Sequence, residues 1–169
     1  GLDAKKGAEI LSTVLGTYSS TVQYPKTQLA SNLRGIAQVK LGNVGTRVFY
    51  TSISGFDTHA GQAPIHAALW KDVSESVAAF FADLHEHDAD DDVIMLIWTE
   101  FGRRVRQNAS DGTDHGTAAP MFLVGAPVRA GILGDHPSMT DLDQGDLKFT
   151  VDFRSVYAGI LEDWLKAPA

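Results

Sequence analysis

Apolar and polar positions along the chain alternate between two periods, and the changes of period mark the elements. Ala4, Ala8, Leu11 and Leu15 lie on one helical stripe, which predicts a first helix from about Ala4 to Leu15. The stretch through Tyr24-Pro25 breaks it. Leu29, Leu33, Ile36 and Ala37 predict a second helix from about Thr27 to Leu41, closed by Gly42. The β-branched and aromatic run Thr46 to Ile53 reads as a strand, followed by a loop from Ser54 to Gly61. The strongest periodicity runs from about Pro64 to His85. There Leu69, Val73, Val77, Phe80 and Leu84 build one apolar face, and a proline near the start costs no hydrogen bond.

An acidic cluster, Asp88 to Asp92, reads as a solvated turn. The continuous apolar run Val93 to Trp98 fits a strand buried on both faces, as parallel sheets require. Thr99 to Ala119 reads as a long polar loop, Pro120 to Gly125 as a third strand, and Asp152 to Leu165 as a last helix with Asp152 as its N-cap. Strands separated by helices predict one α/β domain over residues 1–169, a three-layer α/β/α sandwich with a mainly parallel sheet. Ligands of such sheets bind beyond the carboxyl ends of the strands, which is where the loops at Asp57/His59 and at Glu100 fall.

Composition narrows the chemistry. The 169 residues carry 14 Lys+Arg against 21 Asp+Glu, a formal charge of −7, and the single basic run is Arg103-Arg104-Val105-Arg106. That balance argues against a partner with a phosphate backbone, so no nucleic acid is expected. No apolar run is long enough to span a bilayer as a helix. With no cysteine, disulfides, thiolate metal sites and a cysteine nucleophile are excluded. The opening Gly1-Leu2-Asp3-Ala4-Lys5-Lys6 reads as interior sequence, so the numbering is expected to begin within a longer precursor.

Three short constellations carry candidate chemistry. Asp57 and His59, two apart on a loop after a strand, can converge on one metal ion, and a carboxylate with a neutral imidazole suits Zn²⁺, Mn²⁺ or Fe²⁺. The structural alternative is a turn in which Asp57 caps backbone N–H groups. Glu100, beyond the most buried strand, can serve as a ligand or general base, and Arg103 and Arg104 can hold an anionic group, or pair with Glu100 structurally. Asp114 and His115, flanked by Gly112 and Gly116, can address neighbouring ions, or one can orient the other. His66, His85, His87 and His136 read as helix-face or surface residues. Neither a G-x-S-x-G elbow nor a P-loop glycine pattern occurs.

Taken in order, Gly55-Phe56-Asp57-Thr58-His59, Glu100-Phe101-Gly102-Arg103-Arg104, Gly112-Thr113-Asp114-His115-Gly116, Asp152-Phe153-Arg154-Ser155-Val156-Tyr157 and Leu161-Glu162-Asp163-Trp164-Leu165 resemble the domain of unknown function 1501 family. The resemblance runs from about Leu29 onward. Members typically carry a twin-arginine export signal, which implies a periplasmic or extracellular location. The family is related to the alkaline phosphatase and sulfatase superfamily, whose α/β/α fold holds a two-metal site at the strand ends. The resemblance therefore implies a metal-dependent hydrolase-like domain acting on small phosphate or sulfate esters. It implies one or two divalent ions (Zn, Mn or Ca) on Asp57, His59, Asp114, His115 and Glu100, with Glu100, Arg103 and Arg104 in catalytic roles. Phe101 stands where the superfamily has a histidine ligand and cannot bind metal. The superfamily's nucleophile comes from the amino-terminal half of the fold, and the resemblance implies that this chain is a carboxyl-terminal portion without that half, expected to associate with it or with another copy of itself. The alternative is a non-catalytic exported binding or scaffold module with one structural ion or none.

Overall fold

The apolar stripes read from the sequence find each other. In a computed structural model, which describes residues 9, 12–14 and 16–167, Leu29, Leu33 and Ala37 of helix α1 (Gln28–Leu41) pack with Val73, Phe80 and Leu84 of helix α2 (Gln62–Glu86) to form the core. Thr27 starts α1. Its side chain accepts from the Ala30 N–H and donates to Asp72 Oδ1 of α2 at 2.7 Å, so one residue both caps the first helix and ties it to the second. Gly42 ends α1 as expected. The helix expected from about Ala4 to Leu15 lies largely outside the described residues.

The expected three-layer sandwich with a mainly parallel sheet does not form. Among the described residues, six strands of two to six residues make three separate antiparallel pairs. Strand β1 (Met95–Ile97) pairs with β4 (Phe122–Val124), β2 (Gly102–Gln107) with β3 (Thr113–Gly116), and β5 (Leu142–Asp143) with β6 (Asp146–Leu147). The physical reason lies in the connections. Parallel neighbours need a crossover of a dozen or more residues, usually a helix. Between β1 and β4 the chain instead folds its own hairpin, β2–β3, and returns antiparallel. The polar stretch Thr99 to Ala119, expected as a structureless loop, is that hairpin.

The run Thr46 to Ile53 is not a paired strand. Alternate residues are exposed, Val48 and Tyr50 at 69% and 76%, while Ile53 packs on the helix core. The β-branched and aromatic run is extended, and a partner strand for it is not found among the described residues. The run 93–98 is correspondingly half-buried rather than buried on both faces. Between β5 and β6, Gln144 and Gly145 both take positive φ (48° and 91°), the backbone of a two-residue hairpin turn whose twist matches its strands. The last helix, α3 (Phe153–Gly159), is capped by the Asp152 side chain as expected and continues as a π-helical turn over Ile160–Trp164. No helix among the described residues is long and apolar enough to cross a membrane.

The carboxyl end of α2 holds a polar cluster that the sequence did not advertise. His87 places Nδ1 2.7 Å from the Asp83 carbonyl oxygen and Nε2 2.9 Å from the Ser19 carbonyl oxygen. Carbonyls only accept, so both nitrogens donate only when the ring is an imidazolium. The bond to the Asp83 carbonyl leads in raising the pKa above the ordinary 6.5, joined by the Ser19 bond and the charges of Asp83 and Glu86. A raised folded-state pKa contributes stability that is complete below 6.5 and is lost as pH rises through the folded value. The urea midpoint is therefore expected to be higher at about pH 6 than at about pH 8, and His87→Ala is expected to shrink that difference. An unchanged difference in the variant would refute this role of His87.

Candidate metal centre

The site is assembled where the loop before α2 meets the β2–β3 hairpin. Gly61 N–H donates to the Ser110 carbonyl at 2.9 Å and Gln62 N–H to the Asp111 carbonyl at 2.8 Å, while Ala60 and Asp111 form an antiparallel bridge. Asn108 fastens the junction from the hairpin turn. Its Oδ1 accepts from the Ser110 and Gly112 N–H groups, and its Nδ2 donates to the His59 carbonyl at 3.0 Å and to Asp114 Oδ1 at 3.3 Å. Gly112 has to be glycine, because a Cβ there would fall on the carbonyl carbon and oxygen of His59.

This junction brings three of the predicted residues to one point. Asp57 Oδ1 lies 2.9 Å from His59 Nε2 and 2.7 Å from His115 Nε2, and the two Nε2 atoms are 3.2 Å apart. Asp57, His59 and His115 thus form a triad able to hold a metal ion. In a tetrahedral site with metal–ligand bonds of about 2.0–2.1 Å, ligand atoms stand about 3.3 Å apart. The observed triangle approaches that size. The chemistry of the donors agrees. Two imidazole nitrogens facing each other cannot both direct an N–H along their contact, whereas two lone pairs and a carboxylate oxygen can share one cation. The hydrogen bond from His115 holds the Asp57 carboxyl below the ordinary carboxylate range, with the charges of His59, His115 and Arg103 acting the same way. The ligand side chains are 47%, 47% and 60% exposed, so the centre opens to solvent.

The other predicted residues are placed around this triad. Asp114 Oδ1 stands 3.7 Å from His59 Nδ1, too long for a hydrogen bond and on the ring nitrogen that faces away from the triad. Arg103 reaches across both loops. Its guanidinium donates to the Thr113 carbonyl at 2.5 Å and the Phe56 carbonyl at 2.6 Å, and lies 3.5 Å from Asp57 Oδ1. Arg104 pairs with Asp146 of β6 at 3.2 Å. Glu100 is exposed between β1 and β2, and its carboxylate is not among the converging atoms. Thr58, between the two loop ligands, is buried, and its hydroxyl takes a hydrogen bond from Gln62 at 2.8 Å.

Two contributors escaped the sequence reading. Asn108 is visible only as the first residue of a turn ending in Asp111-Gly112, and nothing local says which loop it clasps. Phe101, noted only as unable to bind metal, stacks on His115 with ring centroids 4.0 Å apart and planes 7° from parallel.

A family model described as "Protein of unknown function (DUF1501)" matches residues 13–161. No curated protein and no solved structure matches the chain. The chain belongs to the DUF1501 family.

Proposed function

We propose that this DUF1501 chain holds one divalent ion on Asp57, His59 and His115 and that the centre serves the hydrolysis of a small phosphate or sulfate ester. The observation that carries the reading is the convergence of three ligand atoms at an open, solvent-facing point. Three protein ligands with a free position is the pattern of catalytic rather than structural zinc sites, and two imidazoles with one carboxylate suit Zn²⁺ or Mn²⁺ better than the all-oxygen preference of Ca²⁺. Such an ion, when bound, supplies Lewis acidity toward an ester oxygen and acidifies water. The chain's own groups do the rest. A carboxylate is ionised across the neutral range, so Asp57 offers an anionic oxygen to the ion. Arg103, 3.5 Å from that carboxylate, adds positive charge beside an anionic substrate while bracing both loops. Asp114, 3.7 Å from the far nitrogen of His59, adds negative charge behind that ligand without bonding to it. By the family resemblance the domain works outside the cytoplasm.

One observation favours a second reading, a metal-bearing binding module without turnover. The hydroxyl adjoining the ligands, Thr58, is buried and already bonded, so it is not poised as a nucleophile. The two readings separate in one experiment. Protein prepared without chelator is reloaded with Zn²⁺, Mn²⁺ or Ca²⁺, its metal content is measured, and aryl phosphate and aryl sulfate esters are assayed. About one ion per chain with turnover lost in His59→Ala supports the hydrolase. One ion with no turnover on either ester class supports the binding module. No ion with any of the three metals overturns both.

A further inference from the structure

We propose that Phe101 is a positioning residue for the metal centre, holding the His115 ring at the angle that aims Nε2 at Asp57. The proposal rests on the reading of Asp57, His59 and His115 as metal ligands and adds a residue that does not touch the ion. An imidazole on a half-exposed strand has a broad second side-chain torsion, and because its lone pairs lie in the ring plane, a tilt of that plane turns Nε2 away from the point shared with Asp57. Something must select one ring plane, and among the described residues the polar contacts of His115 Nε2 are to the other two members of the triad, Asp57 Oδ1 at 2.7 Å and His59 Nε2 at 3.2 Å.

Phe101 supplies the selection. Its ring is nearly parallel to His115, 7° and 4.0 Å centroid to centroid. His59 also stacks against His115 at 4.8 Å and 29°, so the ring of His115 is in contact with two others. Phe101 is itself held. The Arg103 Cζ lies 5.0 Å from its ring centroid, and that guanidinium is anchored on the Thr113 and Phe56 carbonyls. The next residue, Gly102, is buried with its Cα against the Ala118 backbone, where a Cβ would overlap the Ala118 carbonyl. The backbone after Phe101 therefore has one place to go.

The stack also has an electronic direction. An imidazole that donates its lone pair to a cation becomes electron-poor, and the face of a benzene ring is electron-rich. The contact therefore favours the coordinating state of His115 over the free one. An aliphatic side chain of similar size would fill the space without that preference. The position that breaks a histidine ligand pattern in the sequence thus becomes a support for the ligand across the hairpin, since Arg103 and His115 are direct partners in the β2–β3 register.

The test compares Phe101→Ala, Phe101→Leu and Phe101→Tyr with wild type by two readouts. The first needs no metal. The His115 ring protons in the metal-free protein are expected to show an upfield ring-current shift in wild type and in Phe101→Tyr, and to lose it in Phe101→Ala and Phe101→Leu. The second is Zn²⁺ affinity by competition with a chromophoric chelator. Phe101→Ala is expected to bind about 10–100-fold more weakly, as loss of an outer partner of a metal ligand does, with Phe101→Leu between it and wild type and Phe101→Tyr near wild type. Wild-type affinity in Phe101→Ala would overturn the proposal. So would an equal loss in Phe101→Tyr, which would reveal general disruption of the hairpin. If wild type binds no Zn²⁺, the metal reading fails, and the ring-proton shift alone then decides whether Phe101 orients His115.

Discussion

Replacing His115 with alanine is expected to abolish stoichiometric binding of a divalent ion. Three side chains offer the ligand atoms, and removing one leaves two, Asp57 and His59, on a single loop. Loss of an outer partner alone typically costs 10–100-fold in affinity, so loss of a ligand is expected to cost more than about 100-fold. The consequence can be read as stability. An ion at about 100 times its Kd stabilises the native state by about 2.7 kcal/mol, and a 100-fold weaker site at the same concentration by about 0.4 kcal/mol. At about 2–4 °C per kcal/mol for a domain of this size, saturating Zn²⁺ is expected to raise the Tm of wild type by roughly 5–10 °C and that of His115→Ala by about 1 °C. In the metal-free protein the two Tm values are expected to lie close together, because the bond lost is an exposed one. Asp114→Ala is the internal comparison. Its carboxylate stands outside the triad, and its effect on Zn²⁺ affinity is expected to be clearly the smaller. A Zn²⁺-induced Tm rise that survives in His115→Ala would place the ion elsewhere.

The second large effect concerns the fold rather than the site. Asp83 is fully buried on α2, and its Oδ2 accepts from the hydroxyls of Tyr18 at 2.5 Å and Tyr24 at 2.7 Å. Among the described residues its Oδ1 has no hydrogen-bond donor of its own, although His87 Nδ1 stands within ion-pair range at 3.4 Å while bonding the Asp83 carbonyl. Burial and the neighbouring carboxylate both push the Tyr24 pKa upward, so its hydroxyl remains a donor over the working range. Asp83→Ala leaves two tyrosine hydroxyls without an acceptor and the imidazolium without its neighbouring charge. Stranded polar groups of this kind cost about 3–5 kcal/mol together. A urea titration is expected to show a loss of that order. The triple change Asp83→Leu, Tyr18→Phe and Tyr24→Phe removes donors and acceptor together and is expected to cost less than Asp83→Ala alone. If the triple variant is the less stable of the two, the cluster stabilises by its own interactions and the desolvation argument is wrong.

How much of this was readable from the residues differs between helices and strands. The two long helices were legible, because a 3.6-residue stripe and its caps are local, and Thr27, Gly42 and Asp152 act where their chemistry put them. The sheet was misread, because strand direction depends on what lies between the strands. An apolar run such as 93–98 suits a parallel sheet, but the connection to β4 contains a hairpin and no helix. The β-branched and aromatic content of 46–53 favours an extended backbone, yet composition does not show whether a partner strand is present.

The candidate site divides in the same way. The sequence by itself determined the ligand types and ruled out thiolate and P-loop chemistry, because side-chain donors and their absence are properties of composition. It also confined the candidates to short segments flanked by glycine. Only the tertiary structure chose among them. Asp57, His59 and His115 meet because Asn108, Gly112 and the Ser110–Asp111 carbonyls dock one loop on another across some fifty residues of chain. Asp114 is one residue from His115 and stands outside the triad, since neighbours on a strand point to opposite faces. Phe101 gained its place for the same reason. Stacking needs two rings brought face to face, and no spacing rule along the chain contains that distance.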